Sequence, residues 1–483
     1  MTKTRKLKKG GKVIASGGYG CIFEPALKCE GTTKRESNKV SKLMTDKHAI
    51  QEYEEITSVR EKLEHIRNYE DYFLINNVTL CRPAKLTATD LALFGDKCSA
   101  LPKDDINKDN INSKLDQVMS LNIPHGGEPV DDYIYRDGSY KKLYEVHTHL
   151  INLLKNGIMP MNNLHIYHSD IKDSNVLIDD ENRDGKGDSN YMKARLIDWG
   201  LTVNYAPGST SKFPHPWKNR PIQFNVPFSV VIFTDTFYNK YTKYLKDDGN
   251  VDDASLRPFV IDYLNEWMKE RGAGHYKFIN EIMFLLYSST LSSVSEGSKA
   301  AVIEAEITMP IIIDYIVDVL VHYTKFKADG SLNLREYLND VYVKIVDIWG
   351  FINVYFPFLE MLANNYMKLS SNELKMFKQL QFIFNEYLYN PRHEPINMDE
   401  LFADLKRFGN LIHIAEYGKK KTSSRHSNDY GVASGLHYSV RNHTRKNRRN
   451  ISTKSSSNKS PIFKRKPLKK RYKKPFFISI NRQ

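Results

Sequence analysis

The sequence predicts an α+β chain in two lobes, a small β-rich one and then a large helical one, ending in a basic tail. Three observations predict it. Short strand-type runs, the first two around a glycine-rich turn, recur between residues 12 and 121. From 143 to 407, apolar residues recur at three- and four-residue spacing, the period of helices packed on a core. From Lys419 onward Ser, Asn, Lys and Arg dominate and periodicity stops, which is the composition of a disordered tail. The 483 residues are enough for a two-lobed domain plus a tail, and 41% hydrophobic residues can fill a large core.

The net charge of +14 is unevenly spread. Residues 419–483 hold 20 Lys and Arg against one acid, Asp429, for +19. The arm 1–12 adds +6, so by subtraction the body carries −11. The densest basic run, 464–474, suits phosphate-bearing polymers such as nucleic acid, or an acidic partner protein. The four cysteines, Cys21, Cys29, Cys81 and Cys98, form no Cys-x-x-Cys pair and have no His at zinc-finger spacing. They are expected to be reduced and mostly buried. No apolar run of signal length follows the basic N-terminus. The apolar windows 310–321 and 349–363 are broken by Asp314, Asp318, Pro357 and Glu360, so no membrane span is expected and an intracellular, soluble protein is.

In chain order, 12–14 begins a strand that leads into Ala15-Ser16-Gly17-Gly18-Tyr19-Gly20-Cys21-Ile22-Phe23. Glycines there let backbone N–H groups come close to phosphates. Residues 38–43 form a short alternating strand carrying Lys42. A helix over 46–67 follows, with Ile56, Val59, Leu63 and Ile66 on one face. Glu52 and Glu55 each have an apolar residue four later and so lie on the inward side, with Glu52 preferred. Residues 77–101 hold strand-like pieces, 102–113 a polar surface loop and 117–121 a strand, which 122–127 break. A helix over 143–155 ends at Asn156-Gly157. Residues 179–190 are a polar insertion; Asp180-x-Asn182-x-Asp184-Gly185 imitates a calcium loop but lacks the acid at its twelfth position, so a solvated turn is favoured. Residues 204–220 are rich in Pro, Ser and Thr, 230–340 are helical in pattern, and 373–407 add further helix.

The chemistry concentrates in His168-Ser169-Asp170-Ile171-Lys172-Asp173-Ser174-Asn175, which runs into an apolar strand, and in Asp198-Trp199-Gly200 at the end of a second one. Phosphoryl transfer needs such a set. One carboxylate orients the attacking hydroxyl and accepts its proton, a lysine offsets phosphate charge, and an amide and a second carboxylate hold the metal. A hairpin of the two apolar runs would fix both loops on one rigid edge.

These stretches resemble the catalytic loop of protein kinases, His-Arg-Asp-x-Lys-x-x-Asn, and their Asp-Phe-Gly. The resemblance implies a bilobal protein-kinase-like fold, with ATP and Mg²⁺ as cofactors and protein Ser or Thr hydroxyls as acceptors. It implies Asp170 and Lys172 as catalytic residues and Asn175 and Asp198 as metal ligands. It also implies a nucleotide site of Ala15, Ser16, Gly17, Gly18, Tyr19, Gly20, Cys21, Ile22 and Lys42, with Glu52 paired to Lys42. Lys172 two after the aspartate is similar to the Ser/Thr type. The lobes would span 13–121 and 122–417, with a helical insertion over 230–340, an arm over 1–12 and a tail over 418–483. The hinge between the lobes would lie at 122–127. Val346-Asp347-Ile348-Trp349-Gly350 resembles the Asp-x-Trp that anchors the large lobe, and is preferred to Asp235 for that part. Departures are Ala15 for the first glycine, Ser169 for arginine, Trp199 for phenylalanine, and Pro227 without the glutamate of Ala-Pro-Glu. Ser169 implies an enzyme that phosphorylation of its activation segment does not switch on. Gly17 to Cys29, Val40-Ser41-Lys42 and Asn225-x-Pro-Phe-Ser are similar to divergent Ser/Thr kinases of giant, mimivirus-like DNA viruses, which would place the protein in host cytoplasm or virion. A small-molecule kinase, and a pseudokinase scaffold acting through its tail, are the rival expectations.

Overall fold

The computed structural model describes residues 11–180, 192–208, 213–247, 250–324 and 334–417. The basic arm, the calcium-like loop from 181 and the tail from 418 lie outside the described residues. The architecture is mixed α+β, with an N-terminal antiparallel sheet and a helical C-terminal part.

The sheet has five strands: β1 (Lys12–Ser16), β2 (Gly20–Glu24), β3 (Lys39–Thr45), β4 (Thr79–Cys81) and β5 (Val118–Pro124), in the order β1-β2-β3-β5-β4. Its register puts Ile22 opposite Lys42 and Lys42 opposite Leu121. β5 runs three residues beyond the expected stop, because Asn122, Ile123 and Pro124 stay paired with Ser41, Val40 and Lys39. Helix α1 (Asp46–Leu63) buries Ala49, Glu52, Ile56, Val59 and Leu63, a 3-4-3-4 stripe that carries Glu52 inward with the apolar residues. It ends earlier than its periodicity suggests: the chain turns at 64–66 and passes through Asn68 in the left-handed region, which Asn tolerates.

Residues 82–117 differ from expectation. Two short helices, Ala88–Leu91 and Phe94–Lys97, replace the expected strands, the first closed by a Thr87–Asp90 capping box. Ile106 and Ile111 are buried with Phe94 and Leu101, so the polar composition there hides inward-facing apolar anchors. The cysteines are not reduced: Cys21 pairs with Cys98 and Cys29 with Cys81. Spacing gave no sign of this, since each bridge joins segments that only the folded sheet brings together.

Helix Tyr140–Leu153 continues through the turn Leu154–Ile158 into Met159–Asn163. Gly157 therefore does not end the helix; a Cβ there would sit 2.8 Å from the Tyr72 side chain, so glycine permits a close approach. Before this helix comes β6 (Glu128–Pro129), and beyond it β7 (Ile166–Tyr167), β8 (Val176–Asp180), β9 (Met192–Leu196) and β10 (Val203–Asn204). β8 and β9 form the expected hairpin, with Val176 opposite Leu196. Helices Asp235–Asp247, Asp253–Arg271, Tyr276–Tyr287, Glu296–Ile303 and Met309–Tyr323 fill the expected insertion. The helical stretch Arg335–Ala363 is long and apolar enough to cross a membrane, but its apolar window is wholly buried inside the protein.

Candidate active site

The sheet, α1 and the β8–β9 hairpin bring Lys42 together with two acids, Glu52 and Asp198. Lys42 Nζ lies 2.8 and 2.7 Å from the two Glu52 carboxylate oxygens and 3.2 Å from Asp198 Oδ1. Burial works against the ammonium, yet Asp198 and Glu52 outweigh it and hold Lys42 well above the ordinary lysine range. Glu52 is therefore the partner, while Glu55 bonds Gln51 on the outer side.

Asp170 is held at both oxygens. Lys172 Nζ donates to Oδ2 at 2.7 Å and Asn175 Nδ2 to the same atom at 2.9 Å. Asn225 Nδ2 donates to Oδ1 at 2.8 Å. Burial pushes the carboxyl up, but Lys172, the Arg220 charge and the Asn225 hydrogen bond outweigh it and leave Asp170 below the usual range.

The backbone of this loop hangs on Asp347, whose carboxylate accepts the N–H groups of His168 and Ser169, each at 2.8 Å, and the Asn162 amide at 2.7 Å. Asp235 is exposed and pairs with Lys218, so the anchor is Asp347. A Cβ at Gly350 would meet the Ile171 carbonyl at 2.7 Å, which only glycine avoids. Trp349 Nε1 donates to the Phe224 carbonyl at 2.8 Å. His168 packs its ring on Trp199 at 5.0 Å, and Trp199 packs edge-on to Phe73 at 5.6 Å. The indole fills the place beside Asp198 as a buried plug.

Ser169 has a hydrogen bond at every polar group. Its hydroxyl accepts from Trp217 Nε1 at 2.9 Å and its carbonyl from Arg220 Nη1 at 2.8 Å. Where an arginine was expected, a serine receives a guanidinium from the other side. After Pro227, the buried turn Phe228–Ile232 is anchored by packing and by Ser229 Oγ at 2.8 Å from Tyr337 Oη.

The glycine-rich turn joins β1 to β2 and is closed by Gly17 N–H donating to the Gly20 carbonyl at 2.8 Å. A Cβ at Gly18 would meet nothing within 4 Å, so the protein's own packing does not require glycine there and the space is open to a ligand. Gly20 differs: a Cβ would strike Met44 at 2.4 Å. Tyr19 at the tip packs on His48. Ala15 lies at a register shift in β1. Two expected nucleotide contacts need correction at the side chain. Ser16 Oγ accepts the N–H groups of Ser99 and Ala100, both at 3.1 Å, and Cys21 is buried in its disulfide, so both side chains serve the fold.

Asn175 and Asp198 fit a hard cation. The Asn175 amide nitrogen is engaged by Asp170, which leaves its oxygen as the metal-type donor, and Asp198 is part-exposed in the cleft. Ile197 N–H bonds the Asn175 carbonyl at 3.0 Å, tying the two loops together. Elsewhere, Asp318, His322 and His393 cluster, but the two imidazoles stack in parallel with centroids 3.5 Å apart. Lone pairs lying in parallel stacked planes do not converge on one ion. A cavity of about 530 Å³ lined by His65, Arg67, Asn68, Tyr72 and Asn156 contains none of these site residues.

Sequence reading missed Trp217, Arg220 and Asn225 as parts of the site. Asn225 enters the sequence reading only as part of Asn225-x-Pro-Phe-Ser, and a lone amide 55 residues from Asp170 carries no local signal. No family model matches the chain.

Proposed function

We propose that this protein is an ATP-dependent serine/threonine protein kinase. The observation that carries the reading is Lys42 placed between Glu52 and Asp198, three residues from a strand, a helix and a hairpin end, beside an open glycine turn. Such an arrangement suits gripping polyphosphate.

In this reading Asp170 orients the acceptor hydroxyl and receives its proton. The acceptor oxygen bonds to the γ-phosphorus as the bond to the β–γ bridging oxygen breaks, and ADP leaves. Asp170 is ionised at neutral pH because its carboxyl is held low, so it is ready to accept that hydrogen bond. Lys172, bonded to Asp170, offsets charge on the transferring group. Lys42 orients the phosphates. Asn175 and Asp198 would hold Mg²⁺, which when bound neutralises charge on phosphate oxygens.

The test is transfer of labelled γ-phosphate from ATP with Mg²⁺ to a basic protein and to small hydroxyl compounds. Asp170→Asn should lower transfer to protein by roughly 10²–10⁴-fold. Transfer only to small acceptors would overturn the substrate class. ATP binding without transfer by the wild type would overturn the enzymatic reading and favour a binding scaffold.

A further inference from the structure

A cavity of about 530 Å³ lies between the turn that follows α1 and the helical stretch 154–164, away from the candidate active site. Pockets that take small organic ligands measure roughly 300–1,000 Å³. Its floor is Tyr72, which is buried and fixed in place. The Tyr72 carbonyl accepts the Leu196 N–H at 2.8 Å, and the bare Gly157 lies against the Tyr72 side chain where a Cβ would not fit. The cavity is therefore built by packing and does not have to open. Its rim is exposed: His65, Arg67 and Asn68 stand on one side, Asn156 and Asn163 on the other.

No Asp or Glu lines this cavity. The acids of the adjoining turn are engaged elsewhere: Glu64 pairs with Arg60 at 3.6 Å, Asp71 with Lys193 at 2.8 Å, and Glu70 accepts from Asn76 Nδ2. Arg67 has no carboxylate partner among the described residues, and the side chains of His65, Asn68 and Asn163 make no hydrogen bond among them. An unneutralised guanidinium in a hollow open to solvent is a partner for an anion. Arg67 presents a planar fork of N–H donors, and the two amides and a His65 ring N–H add donors from both sides. Donors converging from several directions match the three oxygens of a phosphate monoester better than the two coplanar oxygens of a carboxylate. The Tyr72 ring, with Pro160 and Leu164, supplies apolar surface for an organic body.

We propose that this cavity is a binding site for a small organic phosphate, with Arg67 taking the phosphate group and the Tyr72 floor the organic body. Lys42, Asp170 and Asp198 do not line it, so it is a second site, and it does not depend on the kinase reading above. A ligand bound there ties the end of α1, the helix that carries Glu52, to the helical stretch on the other side.

The experiment titrates the full chain with phenyl phosphate, benzoate and inorganic phosphate at fixed ionic strength and reads binding by calorimetry. Wild type, Arg67→Gln and Asn163→Trp are compared. Both substituted side chains are exposed, so unfolding midpoints close to wild type are expected, and if one variant does not fold the other decides. All three proteins keep the basic tail, so phosphate held there appears equally in each. The expected result is saturable binding of phenyl phosphate by wild type. It should weaken about tenfold or more in Arg67→Gln, which loses the charge-assisted hydrogen bonds, and similarly in Asn163→Trp, whose indole fills the rim. Benzoate and inorganic phosphate should each bind about tenfold more weakly than phenyl phosphate. Unchanged binding in either folded variant would place the phosphate elsewhere and overturn the proposal, as would no saturable binding by wild type. Benzoate binding as tightly as phenyl phosphate would overturn the phosphate class. Inorganic phosphate binding as tightly would overturn the organic ligand and leave a site for a bare ion.

Discussion

The loop 168–175 is gripped from two sides, and the two grips differ in kind. Asp347 holds the backbone: its carboxylate takes two main-chain N–H groups and is fully buried. Trp217, Arg220 and Asn225 hold Ser169 through its hydroxyl and carbonyl and Asp170 through its carboxylate. The first grip fixes where the loop is. The second fixes which way the Asp170 carboxylate points. A backbone grip made by a buried charge is central to stability, whereas an orienting amide can be lost with the fold intact.

Breaking the first grip should have the largest effect on folding. Asp347→Ala orphans two buried N–H groups and the Asn162 amide, at about 1–3 kcal/mol per donor, so stability should fall by roughly 3 kcal/mol or more. Denaturant unfolding reads this directly. A loss below about 1 kcal/mol would mean the loop does not depend on Asp347.

A site remote from both grips sharpens the contrast by showing where acid sensitivity lies. His147 is buried between Tyr355 and Phe408, its Nδ1 3.0 Å from Tyr355 Oη, and burial pushes its pKa from 6.5 down to about 4. The folded value lies below the unfolded one, so the stability linked to neutral His147 is complete above pH 6.5 and is lost as pH falls toward 4. The loss reaches roughly 3 kcal/mol near pH 4. His147→Gln should flatten the melting temperature between pH 6.5 and 4, even if the variant is less stable at neutral pH. An unchanged slope would place the acid sensitivity elsewhere.

The second grip should give the smallest change in stability. Asn225→Leu removes the bond to Asp170 Oδ1 and should lower the proposed transfer about tenfold in kcat, with KM for ATP unchanged and unfolding shifted little. A variant that unfolds as readily as Asp347→Ala would erase the distinction between the two grips.

Much of the first grip was legible in the chain. Asp347 was recognisable beside Trp349, and spacing put both Glu52 and Glu55 on the inward side of α1, of which Glu52 is the buried one. Lys42 reaches Asp198, and Asn175 reaches Asp170, because each sits in or beside a short patterned strand. The second grip was not legible. Trp217 and Arg220 lie in a stretch rich in Pro, Ser and Thr, where no periodicity says which way a side chain points. The disulfides failed for the same reason: Cys21 and Cys98 are 77 residues apart and meet only because the 82–117 segment folds back onto β1 and β2.

Ser169 is bonded at every polar group without a phosphate, so the loop is assembled by side chains alone. The direct measurement is the rate of γ-phosphate transfer by protein treated with phosphatase and shown by intact mass to carry no phosphate, against untreated protein. Equal rates, both above background, are expected. A large drop that is restored by rephosphorylation would contradict this and would make a phosphorylated residue a missing part of the second grip.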